Sequence, residues 1–176
     1  MRTLNVENLK KIKKAVPIIE KKTKIKISFL KPQGKIGIKG NELNEFLVTK
    51  ILEAIDFGFD LDDAFLLLKE DFVLEFIDIK EHTRRKNLKD VRARVIGSNG
   101  KAKKTIQELT GCVITINNNS VGVITDTEHL EAVVQAIILL IQGTKHGNVF
   151  AYLEKQNINL RNFNSEDLGL REGIKK

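Results

Sequence analysis

With one cysteine, Cys112, in 176 residues, the chain has no partner for an internal disulfide, and a cysteine-rich zinc site is excluded as well. Tryptophan is absent and tyrosine occurs once, which argues against a surface that stacks nucleobases on an aromatic platform. The longest apolar stretch, Ala132 to Ile141, is ten residues and is broken by Gln135. A bilayer span needs about 20, so no membrane association is expected. No charged segment followed by an apolar run opens the sequence. A secretory leader is therefore not expected, and the expected compartment is the cytoplasm. The composition, 41% hydrophobic and 30% charged, is that of a soluble globular protein with room for one medium domain or two small ones.

Charge is present in excess and unevenly. The net charge is +7 and the isoelectric point about 9.4. Residues 1–26 hold nine Lys/Arg against two acids, and residues 27–41 add three lysines. Residues 42–78 reverse the sign, with eleven acids against Lys50 and Lys69. Residues 80–110 return to ten Lys/Arg against Glu81, Asp90 and Glu108. Basic charge gathered in two blocks is the footprint of a polyanion partner. The acidic block reads as the solvated side of helices, with Phe57, Phe59, Phe65, Phe72 and Phe76 around it as core; a docking face for a basic protein is the sharper alternative.

Two stretches resemble each other at a spacing of about 85 residues. Lys50–Gly58 followed by Asp63–Leu68 parallels Gln135–Gly143 followed by Asn148–Leu153. In each, an apolar-periodic helix stops at a glycine, and a phenylalanine follows seven residues later. Ile19–Ile27 likewise parallels Ile106–Ile114, a helix end running into a β-branched strand. The better-marked copy predicts a strand at 72–79, a short helix at 91–96, a break at Gly97–Gly100 and a helix at 101–110. Strands at 112–117 and 121–125 follow, then a helix at 128–142 capped by Asp126 or Thr127. That order, β-α-α-β-β-α, is a small α+β unit with helices on one face of a sheet. Two such units account for most of the chain. They divide as residues 1–69 and 70–158, with a polar tail over 159–176.

Ile96-Gly97-Ser98-Asn99-Gly100-Lys101-Ala102-Lys103-Lys104 is the most informative string. A tight Gly-x-x-Gly turn lets the backbone approach another chain where a Cβ would intrude. The helix that follows presents free N–H groups and positive dipole, which suits phosphate. Lys101, Lys103 and Lys104 oppose that dipole, so their placement points to an outside anion. A second string with this spacing, Gly37-Ile-Lys-Gly40, runs out of an alternating strand and is followed by Glu42 and Glu45, which repel phosphate; it reads as structural.

No catalytic set emerges. His82, His129 and His146 are scattered, and His146 beside Gly147 suits capping or packing of the turn after Gly143. Gly97–Lys101 is not a P-loop, because Lys101 is followed by Ala102. Cys112 opens an apolar strand as a small buried hydrophobe. Asp60, Asp62 and Asp63 suit the start of a short helix better than a metal. No enzyme activity, cofactor or metal is expected.

The pattern Ile96-Gly97-x-x-Gly100 between two helices, then Ile106 and Thr110-Gly111-Cys112-Val113-Ile114, resembles type I KH domains. With the tandem arrangement, Gly58-Phe59, Ala64-Phe65, Asp71–Asp78 and Gly143-x-x-His146-Gly147-x-Val149-Phe150 make the chain similar to the archaeal KH-domain ribosome-biogenesis factors, counterparts of the eukaryotic "partner of Nob" pre-ribosomal RNA proteins. The similarity runs over about residues 43 to 156.

The resemblance implies a fold of two tandem type I KH units and a clamp on about four nucleotides of single strand at the Gly-x-x-Gly loop. Gly97 and Gly100 would admit phosphates, Ser98 and Asn99 would supply turn N–H groups, and Lys101, Lys103, Lys104, Arg92 and Arg94 would hold the backbone. Val95, Ile96, Ile106 and Ile114 would line a base groove whose other wall is Asn117–Ser120. It further implies binding near the 3′ end of small-subunit ribosomal RNA, assistance to a pre-rRNA endonuclease, and contact with the α subunit of translation initiation factor two. The first unit departs from the pattern: Lys10–Lys13 replaces its Gly-x-x-Gly, and Pro17 is expected to interrupt the next helix. It reads as degenerate. A general RNA chaperone or exosome-type adaptor, and a protein–protein scaffold that no longer binds RNA, are the alternatives.

Overall fold

The first strand, β1 (Arg2–Asn5), leads into α1 (Leu9–Thr23), then the antiparallel hairpin β2 (Lys26–Leu30) and β3 (Lys35–Lys39), then α2 (Glu42–Phe57). A one-turn α3 (Leu61–Ala64) and a 3₁₀ turn over Phe65–Leu68 follow. The second half runs β4 (Phe72–Asp78), α4 (Leu88–Ile96), α5 (Lys101–Thr110), β5 (Val113–Asn117), β6 (Ser120–Asp126), α6 (Thr127–Gln142) and α7 (His146–Asp167). The computed structural model describes residues 1–31 and 34–167. Each half contributes a three-stranded sheet whose last strand is central, in the orders β1-β3-β2 and β4-β6-β5.

The sequence reading and the elements agree closely over residues 72–142, which follow β-α-α-β-β-α. Residues 2–57 follow β-α-β-β-α, with one helix where the repeat has two. That helix corrects the expectation at Pro17, which lies inside a continuous α1. Proline removes one N–H and crowds the carbonyl four residues back. Here it sits on the exposed side, while Ile12, Ala15, Val16 and Ile19 on the other side are buried. Burial of about 1.5–3 kcal/mol per large aliphatic chain outweighs one lost helix bond. The stretch read as a polar tail begins inside α7, which is helical to Asp167. Residues 168–176 lie outside the described residues.

By spatial proximity the chain forms two units: Met1–Phe76 with Val113–Ile124, and Ile77–Cys112 with the chain from Thr125 onward. In the first, Ile12 and Ile19 of α1, Ile36 and Ile38 of β3, and Ile51, Leu52 and Ile55 of α2 are almost fully buried together. Asn8 occupies the N-cap of α1 without capping it through its side chain; Asp56 does so from α2, accepting from the Glu7 and Asn8 N–H groups at 2.9 and 2.7 Å. Much of the acidic block has such local duties. Asp78 accepts from the Lys80 N–H, and Glu45 accepts from the Gly40 N–H at 2.9 Å. That hydrogen bond holds the Glu45 carboxyl below the usual carboxylate range. Asp60 stands at the N-cap of α3 but faces Lys11 Nζ at 3.4 Å instead of capping.

The phenylalanines are less uniform than expected. Phe59 is buried, but Phe76 is 40% exposed, its ring leaning on Phe57 with centroids 4.7 Å apart. Phe57 and Phe59 sit against Gly122 of β6, where a Cβ would come within 2.7–2.9 Å of their rings.

In the second unit Val91, Val95, Ala102 and Ile106 are buried, as are Val133, Ile137, Leu140, Val149 and Leu153. Asp126 caps α6, accepting from the His129 N–H at 2.9 Å. The first turns of α7 bring Val149 and Leu153 into this core, and Asn157 donates to the Leu109 carbonyl.

Candidate nucleic-acid interface

Asn87 caps α4, and the helix ends where Gly97 donates its N–H to the Ala93 carbonyl at 2.8 Å. The chain then reverses with positive φ at Gly97 (77°), Asn99 (52°) and Gly100 (75°). Gly100 N–H closes the turn on the Gly97 carbonyl at 3.1 Å. The two glycines serve different purposes. At Gly97, φ 77° with ψ 170° is a region open essentially to glycine alone, and a Cβ would lie 2.6 Å from both the nitrogen and the Cβ of Ala102. At Gly100 only the left-handed backbone matters, since a Cβ would meet nothing within 4 Å. No side chain caps the N-terminus of α5, so its positive end is left to solvent or to an anion. The decoy string differs: Gly37 lies within β3, and neither Gly37 nor Gly40 has positive φ.

Gly97, Ser98, Asn99, Gly100, Lys101, Lys103 and Lys104 are brought together on this turn. Ser98, Asn99, Lys101 and Lys104 are exposed and Lys103 half-buried. Lys104 faces Glu108 at 3.6 Å, a solvated pair of little energetic weight. Arg92 is half-buried and engaged within the fold.

Arg94 departs from its expected role. Its guanidinium donates to the Thr144 carbonyl at 2.7 Å and the Leu140 carbonyl at 3.3 Å, satisfying the C-terminal end of α6. It is a helix cap and not a cation offered to solvent. The apolar set is also divided. Ile96 is 37% exposed, whereas Val95, Ile106 and Ile114 are buried. On α5, Ala102, Ile106 and Thr110 form the core-facing stripe, so Ile106 supports the surface from beneath. Ile114 lies on β5 in the other unit.

Two residues near the turn were missed as neighbours of it. His146 Nε2 lies 2.8 Å from the Arg94 carbonyl, in the last turn of α4, and its ring is 6.2 Å from that of Phe150. Together with Gly97, Ser98, Lys101 and Ala102 they line a pocket of about 210 Å³. The repeated glycine-to-phenylalanine spacing was the sequence signal for Phe150; nothing local pairs His146 with Arg94, 52 residues away.

Cys112 is buried, and desolvation pushes its thiol up to about 11, so it is not a nucleophile at neutral pH. Among the described residues no cluster of three His, Cys, Asp or Glu is arranged to hold a metal, and no helix is long and apolar enough to cross a membrane.

A family model described as the eukaryotic-type KH domain, KH type I, matches residues 73–158. A KH domain-containing protein of Methanocaldococcus jannaschii is 28% identical over 144 residues, covering 78% of this chain and 63% of that protein. The pre-rRNA-processing protein pno1 of Aspergillus oryzae is 28% identical over 108 residues, covering 59% of this chain and 42% of that one. The chain thus spans less than two thirds of the curated relatives it matches. Among solved structures, that of the a/eIF2alpha–aDim2p–rRNA complex from Pyrococcus horikoshii superposes with a TM-score of 0.80 at 28% identity, covering 90% of this chain and 94% of that one. The turn geometry and these likenesses agree: residues 73–158 match the type I KH domain, and the chain is similar over much of its length to KH proteins that include Pno1 and Dim2p.

Proposed function

We propose that the chain is a single-stranded RNA-binding assembly factor of the small ribosomal subunit, acting at the 3′ end of its ribosomal RNA without catalysis of its own. The observation that carries this reading is the Gly97–Gly100 turn, which sets backbone, an uncapped helix N-terminus and exposed lysines on one surface. Phosphates are attracted by all three, and at Gly100 the space a Cβ would enter is open to an approaching strand. The pre-rRNA-processing name of the Aspergillus relative and the rRNA complex of the Pyrococcus relative support the ribosomal assignment. That complex also contains a/eIF2alpha, which makes the α subunit of initiation factor two a proposed partner here. A pre-rRNA endonuclease is a further one, and the cytoplasm is the proposed compartment.

The test is a titration of a labelled oligonucleotide matching the 3′ end of small-subunit ribosomal RNA, beside a scrambled strand and a duplex, at two salt concentrations. Wild type is compared with Ser98→Asp/Asn99→Asp, which places two negative charges where phosphate would sit and retains both glycines. Preferential binding of the matched strand, lost in the variant, supports the proposal. Equal, salt-sensitive binding to all three leaves a basic surface only. Binding unaffected by the variant removes the loop from the account.

A further inference from the structure

The pocket of about 210 Å³ beside the Gly97–Gly100 turn is not accounted for by a clamp on phosphates. Gly97, Ser98, Lys101 and Ala102 form one side of it, and His146 and Phe150 of α7 the other, all within one unit. None of Val95, Ile96, Ile106 and Ile114, the residues expected to line a base groove, takes part. The lining sets an apolar ring, that of Phe150, against three polar side chains, Ser98, Lys101 and His146, and contains no carboxylate. Ser98 and Lys101 are exposed, and their side chains make no hydrogen bond or ion pair among the described residues.

His146 is fixed in a definite state. Its Nε2 lies 2.8 Å from the Arg94 carbonyl, which can only accept, so Nε2 carries the proton and Nδ1 of the neutral ring is an acceptor. Among the described residues no group donates to Nδ1. Phe150 follows four residues later on the same face of α7, with ring centroids 6.2 Å apart and planes at 51°. A phosphate would satisfy Lys101 and Ser98 but would meet an acceptor at Nδ1 and an apolar ring. An aliphatic side chain would cover Phe150 and strip water from Lys101 without returning a hydrogen bond. A nucleobase answers every group. Its face stacks on Phe150, an N–H donates to Nδ1, and a carbonyl or ring nitrogen accepts from Lys101 or Ser98.

We propose that this pocket takes one nucleobase of the strand held at the Gly97–Gly100 turn, stacked on Phe150 with its edge on His146, Lys101 and Ser98. The inference rests on the RNA-binding reading above and adds to it a place where sequence is read. The turn grips phosphates, which are alike at every nucleotide. A base seated beside it fixes which nucleotide occupies the turn.

The experiment uses the whole chain and the oligonucleotide matching the 3′ end of small-subunit ribosomal RNA. That strand is tested intact and as a set in which each nucleotide in turn is made abasic with its phosphate retained. Phe150→Leu keeps apolar bulk and removes the aromatic face, His146→Leu removes the acceptor, and thermal melts confirm that both fold. With wild type, one abasic position is expected to weaken binding about tenfold, the scale of a single base stacked on a ring. Phe150→Leu should weaken the intact strand about tenfold and leave the strand abasic at that position unchanged. Its salt slope should match wild type, because no phosphate contact is lost. 2-Aminopurine at that position should be quenched on binding wild type and not on binding Phe150→Leu. His146→Leu should lose affinity for the intact strand alone. His146→Gln, which can donate to the Arg94 carbonyl and accept from the base, should recover most of it; this pair decides the question if Phe150→Leu does not fold. Equal losses on intact and abasic strands overturn the inference, since the side chains would then serve only the fold. If both pocket variants are silent while Ser98→Asp/Asn99→Asp abolishes binding, the pocket fails and the turn reading remains. If the loop variant is silent and the position-specific loss persists, the turn reading fails and the pocket stands. Absence of binding by every strand overturns both.

Discussion

Replacing Gly97 and Gly100 separately with alanine separates two physical demands that one motif conceals. At Gly97 the backbone lies in a region costing a residue with a Cβ about 1–3 kcal/mol. The new methyl would also stand 2.6 Å from the Ala102 nitrogen and Cβ, and backbone cannot rotate aside. Overpacking of this kind adds about 1–3 kcal/mol. Gly97→Ala should therefore destabilise by about 4 kcal/mol. At Gly100 no atom lies within 4 Å of the added methyl, so only the left-handed penalty of about 1–2 kcal/mol applies. For a chain of this length each kcal/mol lowers the melting midpoint by about 2–4 °C. Far-UV circular dichroism melts should thus fall by about 10 °C for Gly97→Ala and about 4 °C for Gly100→Ala, with Gly100→Asn closer still to wild type. Equal shifts, or a larger one at Gly100, would refute the assignment of separate roles to the two glycines.

Arg94→Ala removes two charge-assisted hydrogen bonds, one to Leu140 in the last turn of α6 and one to Thr144 just beyond it. It should lower stability by about 1.5–3 kcal/mol per bond lost at most and leave the salt slope of RNA binding unchanged, whereas Lys101→Ala should reduce that slope by about 0.7; a slope change in the arginine variant would restore it as a phosphate ligand. Gly122→Ala pushes a methyl into the rings of Phe57 and Phe59 and should cost about 1–3 kcal/mol in urea unfolding; an unchanged midpoint would mean the rings move freely. Glu45 is held below the ordinary carboxylate range by the Gly40 N–H. Its ionised form is favoured by folding, so its contribution is complete above the ordinary glutamate pKa and is lost as pH falls through the lower folded value. Acid titration of stability should show a shallower decline in Glu45→Gln than in wild type.

How much of this was legible in the sequence follows the range of the forces. Residues 101–110 were read as a helix and are one, because the breaks at Gly97, Gly100 and Gly111 are written in the local chain. Pro17 was misread because a local rule met a tertiary one, the buried stripe of α1. Arg94 was counted with the free cations because sequence gives the sign of a charge but not its direction. Its carbonyl partners lie 46 and 50 residues away. The helix has little apolar pattern beyond Leu153, and composition reads residues 159–176 as a tail; with no proline or glycine between Asn148 and Asp167, nothing stops a helix nucleated by the packing of Val149 and Leu153.

The double tether on Arg94 has a thermodynamic corollary. Its side chain fixes the end of α6, and its carbonyl meets His146 at the start of α7. The last turn of α4 is held from two directions immediately before the Gly97 reversal. A turn so braced loses little conformational entropy when a strand arrives, because that freedom has already been surrendered in folding. Association of the proposed RNA strand at this surface should consequently show a small heat-capacity change and little ordering of the protein, with the unfavourable entropy residing in the strand.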